Sequence, residues 1–312
     1  MSMHFIKAGM QTSIQDLGRT GLMRYGISRG GAADPMAMRL ANLLLGNPAD
    51  TPVLEVTLAG PAIEFQCDIA IAIVGAEFEL TLNEEKVEGN EVLQVKRGDT
   101  LAFGRLLSGT RAYIAFSGTM DLPRIFDSCG TNLLGGFGGL DGRAIQKGDT
   151  IGFTELRTAV TRRLPAAFRL RYSGHPQLRV VTGAEEHLFG KETASNFYSQ
   201  AYQVLPQSNR MGVRLTGDTL STEQIPQQVS SGLCPGTIQI PPDGLPIISF
   251  VEGQTIGGYP RIAHVISADL HTLGQLKAND RVSFLKVTLE QAREVLAGKF
   301  QLLDKVRAHL DS

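Results

Sequence analysis

Tryptophan is absent from this 312-residue chain, and cysteine occurs only as Cys67, Cys129 and Cys234. The three thiols are far apart, odd in number and form no Cys-x-x-Cys pair, which argues against a disulfide-framed scaffold and fits a reducing compartment with free, mostly buried thiols. No apolar run reaches the roughly 18 residues of a membrane helix, and residues 1–9 hold no stretch of signal-peptide length, so a cytoplasmic chain is expected. Charge of one sign is also missing. Thirty Lys and Arg stand against 31 Asp and Glu, without the basic excess of nucleic-acid binders. Apolar residues at 42% and charged residues at 20% are those of a globular chain.

Catalytic signatures are scarce too. Gly135-Gly136-Phe137-Gly138-Gly139 does not match Gly-x-Gly-x-x-Gly and no strong helix follows it; no Gly-x-x-x-x-Gly-Lys-Ser/Thr loop and no Gly-x-Ser-x-Gly elbow occurs. The six histidines show no His-x-x-x-His spacing, so no metal site is expected. Cys129 or Cys234 could be a nucleophile, but a buried structural thiol is the commoner role.

What is present is glycine, 35 residues of it, among many short β-branched runs. Residues 53–58, 69–74, 78–82, 113–116, 178–181, 247–251, 262–266 and 282–287 read as strands separated by turns, as in a barrel or sandwich. Two helices stand out. One covers 35–45, with Asp34 as cap, Pro35 at the first position, Ala37, Leu40, Ala41 and Leu44 on one face, and Gly46 as stop. The other begins at Thr288, which forms a capping box with Gln291; it should lie on the barrel as a tail helix, with a break expected at Gly298-Lys299. Gly98-Asp99-Thr100, Gly148-Asp149-Thr150 and, more loosely, Asn279-Asp280-Arg281 repeat a turn-then-strand pattern, and Val74-Gly75-Ala76-Glu77 echoes Thr182-Gly183-Ala184-Glu185. The repeats suggest two related β halves, with 155–177 as the linker.

Four polar stretches do not read as simple core: Gln15-Asp16-Leu17-Gly18-Arg19, Ser208-Asn209-Arg210-Met211-Gly212, Gln239-Ile240-Pro241-Pro242-Asp243-Gly244, and Gln254-Thr255-Ile256-Gly257-Gly258-Tyr259-Pro260. Glycine lets backbone N–H groups approach a ligand, Arg presents a planar fork to carboxylate or phosphate, and Asp serves as base or orients an Arg. Taken singly, each also reads as a plain turn or loop ion pair.

Together with Gly9-Met10-Gln11-Thr12-Ser13-Ile14, Gly30-Gly31-Ala32-Ala33-Asp34-Pro35, Leu54-Glu55-Val56-Thr57, Gly138-Gly139-Leu140-Asp141-Gly142-Arg143 and Ile266-Ser267-Ala268-Asp269-Leu270, these stretches resemble the allophanate hydrolase subunit 2, or biotin-dependent carboxyltransferase-like, family. The likeness runs from Met3 to about Val287. It departs at Leu134, where a basic residue is expected, and that weakens any site near 135–142.

The resemblance implies a mainly β fold with a few helices, built as two related cyclophilin-like β-barrel halves, 1–157 and 158–312, with segments possible to exchange between them. It also implies a subunit of ATP-dependent 5-oxoprolinase, opening 5-oxo-L-proline to L-glutamate with PxpB/KipI-type and PxpA-type subunits and inactive without them. Two alternatives stay open: a KipA-like regulator that antagonises a KipI-like kinase inhibitor, and a carboxyltransferase component using carboxybiotin, although no Ala-Met-Lys-Met carrier sequence occurs here. Phosphorylating a lactam oxygen calls for an anion clamp, oxyanion stabilisation and a base. The expected roles are Arg210 and Arg19 as clamps, Asp243 or Asp16 as base or Arg orienter, and Gln254, Tyr259, Gly257, Gly258 and Asn209 for substrate binding.

Overall fold

A computed structural model describes residues 1–311. The chain divides into two compact units. The first takes Met1–Arg19, Gly30–Arg171 and the chain from Leu303 onward; the second takes Thr20–Arg29 and Tyr172–Leu302. The division therefore falls after Arg171 rather than at 157, and each unit includes a segment from the other's part of the sequence.

The first unit carries β1 (Ser2–Lys7), β2 (Gln11–Gln15), β3 (Val53–Thr57), β4 (Ala62–Phe65), β5 (Ile69–Leu82), β6 (Glu85–Val87), β7 (Val92–Val95), β8 (Thr100–Phe116), β9 (Gly118–Met120) and β10 (Thr150–Leu156), with helix α1 (Pro35–Leu44) between β2 and β3. They form one ten-stranded sheet in the order β2-β3-β8-β4-β1-β10-β9, with β5 pairing β8, β7 and β6. The runs expected at 69–74 and 78–82 join into the single 14-residue β5, with irregular register against β8 between Gly75 and Leu80. Strand periodicity explains how both faces of β5 are filled. Ile69, Ile71 and Ile73 enter one core with Phe5, Val56, Ile114 and Phe116. Ala70, Ala72 and Val74 face α1 in a second core with Leu40, Leu44, Tyr113 and Ala115. The small residues on that face let the helix settle close, and each fully buried Leu or Met of α1 contributes about 1.5–3 kcal/mol. Asp34 caps α1 as expected, accepting from the N–H groups of Met36 and Ala37 at 3.0 Å.

The second unit carries β11 (Gln177–Thr182), α2 (Lys191–Ser199), β12 (Tyr202–Val204), β13 (Gly212–Thr216), β14 (Ser231–Gly232), β15 (Thr237–Gln239), β16 (Ile247–Ser249), β17 (Ile256–Gly257), β18 (Arg261–Val265), α3 (Leu270–Leu273) and β19 (Arg281–Lys286). Seven of these strands close a barrel, β11-β18-β15-β16-β13-β12-β19, and the parallel pairing of β11 with β19 seals it. Phe197 of α2 stacks on Phe284 at 4.6 Å between ring centroids.

The three repeated motifs adopt one turn. Asp99, Asp149 and Asp280 accept the N–H of Lys96, Gln146 and Lys277 at 2.7, 2.7 and 3.0 Å, and their own N–H groups donate back to those residues' carbonyls. The preceding Gly98, Gly148 and Asn279 sit at φ 94°, 93° and 72°, the left-handed region that Gly and Asn tolerate.

The tail helix α4 (Leu289–Asp311) begins with the capping box, Thr288 N–H to Gln291 Oε1 at 2.9 Å and Gln291 N–H to Thr288 Oγ1 at 3.2 Å. It is not broken at Gly298. One glycine costs a helix about 1 kcal/mol relative to Ala, and burial of Leu303 and Val306 beside α1 offsets that cost.

Candidate functional site

The polar surface of the second unit is built on the β15–β18 pairing. Thr237 stands opposite His264 and Gln239 opposite Arg261, with a register shift between Ile238 and Gln239. Beside it runs the two-stranded ribbon β14–β17, in which Ser231 faces Gly257 and Gly232 faces Ile256. Two side-chain amides converge on Gly257: a Cβ there would come within 3.0 Å of both Gln239 Nε2 and Gln254 Nε2. Gln239 is buried and donates to the Tyr259 carbonyl at 3.1 Å, which fixes the backbone that presents Gly258 and Tyr259. Tyr259 itself is 45% exposed, and Gln254 is exposed. Arg261, at the end of this loop, grips Glu185 through Nε (2.6 Å) and Nη2 (2.5 Å). The Arg261 hydrogen bond holds the Glu185 carboxyl below its ordinary value.

Gln254, Gly257, Gly258 and Tyr259 are thus gathered on one loop and ribbon. Arg210, unlike them, is buried. It is 4% exposed, its Nε lies 2.5 Å from Glu252 Oε1, and its carbonyl accepts the Glu252 N–H at 2.8 Å. Two residues further on comes Gln254, so the pair braces the loop that carries it. Asn209 spends its side-chain oxygen on the N–H of Met211 at 2.8 Å. Asp243 is exposed on a turn and accepts the Leu245 N–H at 3.1 Å. No direct bond joins Asp243 to Gln254 or Tyr259 among the described contacts.

In the first unit, Asp16 and Arg19 join loops to one another. Asp16 accepts from Ser128 Oγ and Cys129 N–H, each at 2.7 Å, and from Gly18 N–H at 2.8 Å. Arg19, 1% exposed, donates to the carbonyls of Ile125 (3.1 Å) and Gly130 (2.9 Å) and lies over the Phe137 ring at 4.7 Å. Both guanidiniums expected as anion clamps, Arg19 and Arg210, are therefore turned to internal partners, because each is walled in by the loop it ties down. The glycine-rich run is equally self-contained. The N–H groups of Gly135 and Gly136 donate to Asn132, that of Gly139 to Cys129 and that of Gly142 to Gly138. Most of the glycine amides of the run are thus committed to partners in residues 129–138.

Sequence reasoning assigned no role to a buried network on β3 and β8. Glu55 Oε2 accepts from Ala33 N–H and Tyr113 O–H at 2.8 Å, the Tyr113 oxygen accepts from Asp34 N–H at 2.6 Å, and Arg111 Nε lies 3.5 Å from Glu55 Oε1. Burial, then the neighbouring Glu55 and Asp34 charges, push the Tyr113 hydroxyl well above its ordinary value, so it stays a donor. The signal was available: an acid inside the apolar run Val53–Thr57 must find partners. Among the described residues, no group of three His, Cys, Asp or Glu side chains is placed to hold a metal ion.

Two β units, one a closed barrel with a glycine- and amide-lined loop, define a class of carboxyltransferase-like chains. Residues 25–286 match the family described as carboxyltransferase domain, subdomain A and B, and the chain belongs to that family. It is 38% identical over 297 residues to the 5-oxoprolinase C subunit of Escherichia coli, covering 92% of each chain, and 34% identical to the 5-oxoprolinase C subunit of Haemophilus influenzae, covering 96% of each. The crystal structure of the K. lactis urea amidolyase superposes with a TM-score of 0.92 at 29% identity, covering 98% of this chain and 20% of that much longer one. No helix of the described residues is long and apolar enough to cross a membrane.

Proposed function

We propose that this chain is the C-type subunit of an ATP-dependent 5-oxoprolinase. In this reading it works in the cytoplasm with PxpB/KipI-type and PxpA-type subunits to open 5-oxo-L-proline to L-glutamate as ATP is hydrolysed. The observation that carries the reading is the near end-to-end likeness to two bacterial 5-oxoprolinase C subunits. The second-unit surface agrees with it chemically. A lactam offers one N–H donor and one carbonyl acceptor, and the exposed Gln254 side chain presents both complementary groups next to Gly257, on the same loop as the exposed Tyr259. Gln254 and Tyr259 contact substrate, Arg210 and Glu252 hold their loop, and Asp243 is the solvent-facing carboxylate available as base. ATP phosphates are assigned to no residue of the 135–142 run, where the N–H groups of Gly135, Gly136, Gly139 and Gly142 already have acceptors.

The test is reconstitution. The chain is co-purified with its B- and A-type partners, and glutamate formation from 5-oxoproline is followed with and without ATP. ATP-dependent glutamate that disappears when this chain is omitted supports the reading. An assembled complex that makes none overturns it. In that event, binding to the KipI-like partner without turnover would favour the regulator, and turnover driven by a carboxylated biotin carrier would favour carboxyl transfer, as the family match to a carboxyltransferase domain allows.

A further inference from the structure

Of the three free cysteines, two are buried and Cys234 is exposed. Cys234 does not stand alone. Its Sγ lies 3.9 Å from His264 Nδ1 and 3.7 Å from Thr237 Oγ1, and the Thr237 hydroxyl is in turn 3.3 Å from the same ring nitrogen. The arrangement is fixed by the backbone. A turn returns the Thr237 N–H to the Cys234 carbonyl at 3.1 Å, and Thr237 pairs with His264 across β15–β18. Burial pushes the His264 imidazole below its ordinary value. It is then neutral near pH 7, and with its proton on Nε2 it presents an Nδ1 lone pair to the thiol. Arg261, held chiefly by its hydrogen bonds to Glu185, also lies within electrostatic reach of Cys234. An exposed thiol beside a base and a cation is the setting in which cysteine becomes a nucleophile.

We propose that Cys234 is a modification site at which His264 accepts the thiol proton and the thiolate attacks low-molecular-weight disulfides. The new bond forms between Sγ and one sulfur of the disulfide as its S–S bond breaks. The departing thiolate takes the proton back from the imidazolium, so Cys234 is oxidised to a mixed disulfide and the leaving sulfur is reduced to a thiol. The adduct adjoins Leu233, whose N–H bonds the Thr255 carbonyl at 2.9 Å, and so borders the ribbon that carries Gly257.

The experiment treats the full chain with glutathione disulfide and locates adducts by peptide mass. The expected result is a glutathione adduct at Cys234 with Cys67 and Cys129 unmodified, and a rate that falls roughly tenfold or more in His264→Gln. Absence of an adduct at Cys234, or an unchanged rate in a folded His264→Gln variant, overturns the proposal. Adducts at Cys67 and Cys129 in that variant would report unfolding. The pH profile of the native chain then decides, with His264 and Arg261 as the titratable groups near the thiol and Glu185 bound to Arg261. A rate that rises as the imidazole loses its proton, and that loses this rise in His264→Gln, supports the proposal. A rate that follows an unassisted thiol overturns it.

Discussion

Arg210 Nε and Glu252 Oε1 lie 2.5 Å apart, with the two side chains 4% and 2% exposed. A buried pair of this kind is costly to break because the surviving charge keeps its desolvation penalty and loses its partner. Arg210→Ala or Glu252→Ala is expected to lower stability by about 3–5 kcal/mol, read from urea unfolding midpoints. Arg210→Met combined with Glu252→Leu should lose much less than the sum of the single changes. If Arg210 instead gripped substrate, Arg210→Ala would raise KM and leave the unfolding midpoint where it was.

Gly138 lies at φ 74°, and a Cβ there would meet the Gly130 carbonyl oxygen at 2.2 Å and Arg19 Nη2 at 2.7 Å. The obstacle is backbone, and the conformation is one that L side chains rarely adopt, so the two penalties add. Gly138→Ala should cost about 2–4 kcal/mol. It should also expose Cys129, now 4% accessible, to alkylation, a readout separate from the melting curve.

The strands and α1 were legible because their signals are local: the alternation of β5, the Asp34-Pro35 helix start and the Asp-centred turns each need only neighbours in sequence. No break forms at Gly298 because Leu303 and Val306 pack beside α1, a contact distant in sequence that a single glycine does not reveal. The site was half legible for the same reason. Gln254, Gly257 and Tyr259 share one loop and could be picked out together. Arg210 and Arg19 looked like ligands because an Arg beside Gly does not reveal its acceptor. Glu252 lies 42 residues from Arg210, and the Gly130 carbonyl 111 residues from Arg19.

Acid should weaken the protein through carboxylates held ionised by arginine. The Arg143 hydrogen bond keeps Asp149 below its ordinary value, and that of Arg261 does so for Glu185. At Asp269 burial pulls upward, but the Arg179 hydrogen bond, backbone N–H and charge outweigh it. A carboxyl whose folded value is depressed adds stability above its unfolded value, about 3.9–4.3, and loses it as pH falls through the folded value. Stability should therefore decline gently between about pH 7 and 5, as the unfolded chain protonates His264 while burial keeps it neutral in the fold, and fall more steeply below about 4 as the carboxylates protonate. Arg261→Leu should flatten that fall by raising Glu185 toward its unfolded value, while reducing stability at pH 7. Urea midpoints across pH 2–7 would check both; an unchanged acid slope in Arg261→Leu would remove Glu185 from the account.

Gln254 and Gln239 approach the same glycine from different settings, and that difference separates contact from support. Gln254 is exposed, so truncating it orphans no buried group and should leave the fold intact. Gln239 is 5% exposed and holds the Tyr259 carbonyl at 3.1 Å, so its loss leaves that carbonyl unpaired and lets the tyrosine drift. In the reconstituted enzyme, Gln254→Ala should raise KM for 5-oxoproline roughly 5- to 10-fold, the worth of about 1–1.5 kcal/mol of hydrogen bonding, with the melting temperature unchanged. Gln239→Ala should lower the melting temperature and kcat/KM together. Tyr259→Phe keeps the ring and removes only the hydroxyl, so a rise in KM without loss of stability would assign that hydroxyl to substrate. Equal kinetics in Gln254→Ala and the native chain would mean that the ribbon beside Gly257 is not where the lactam binds.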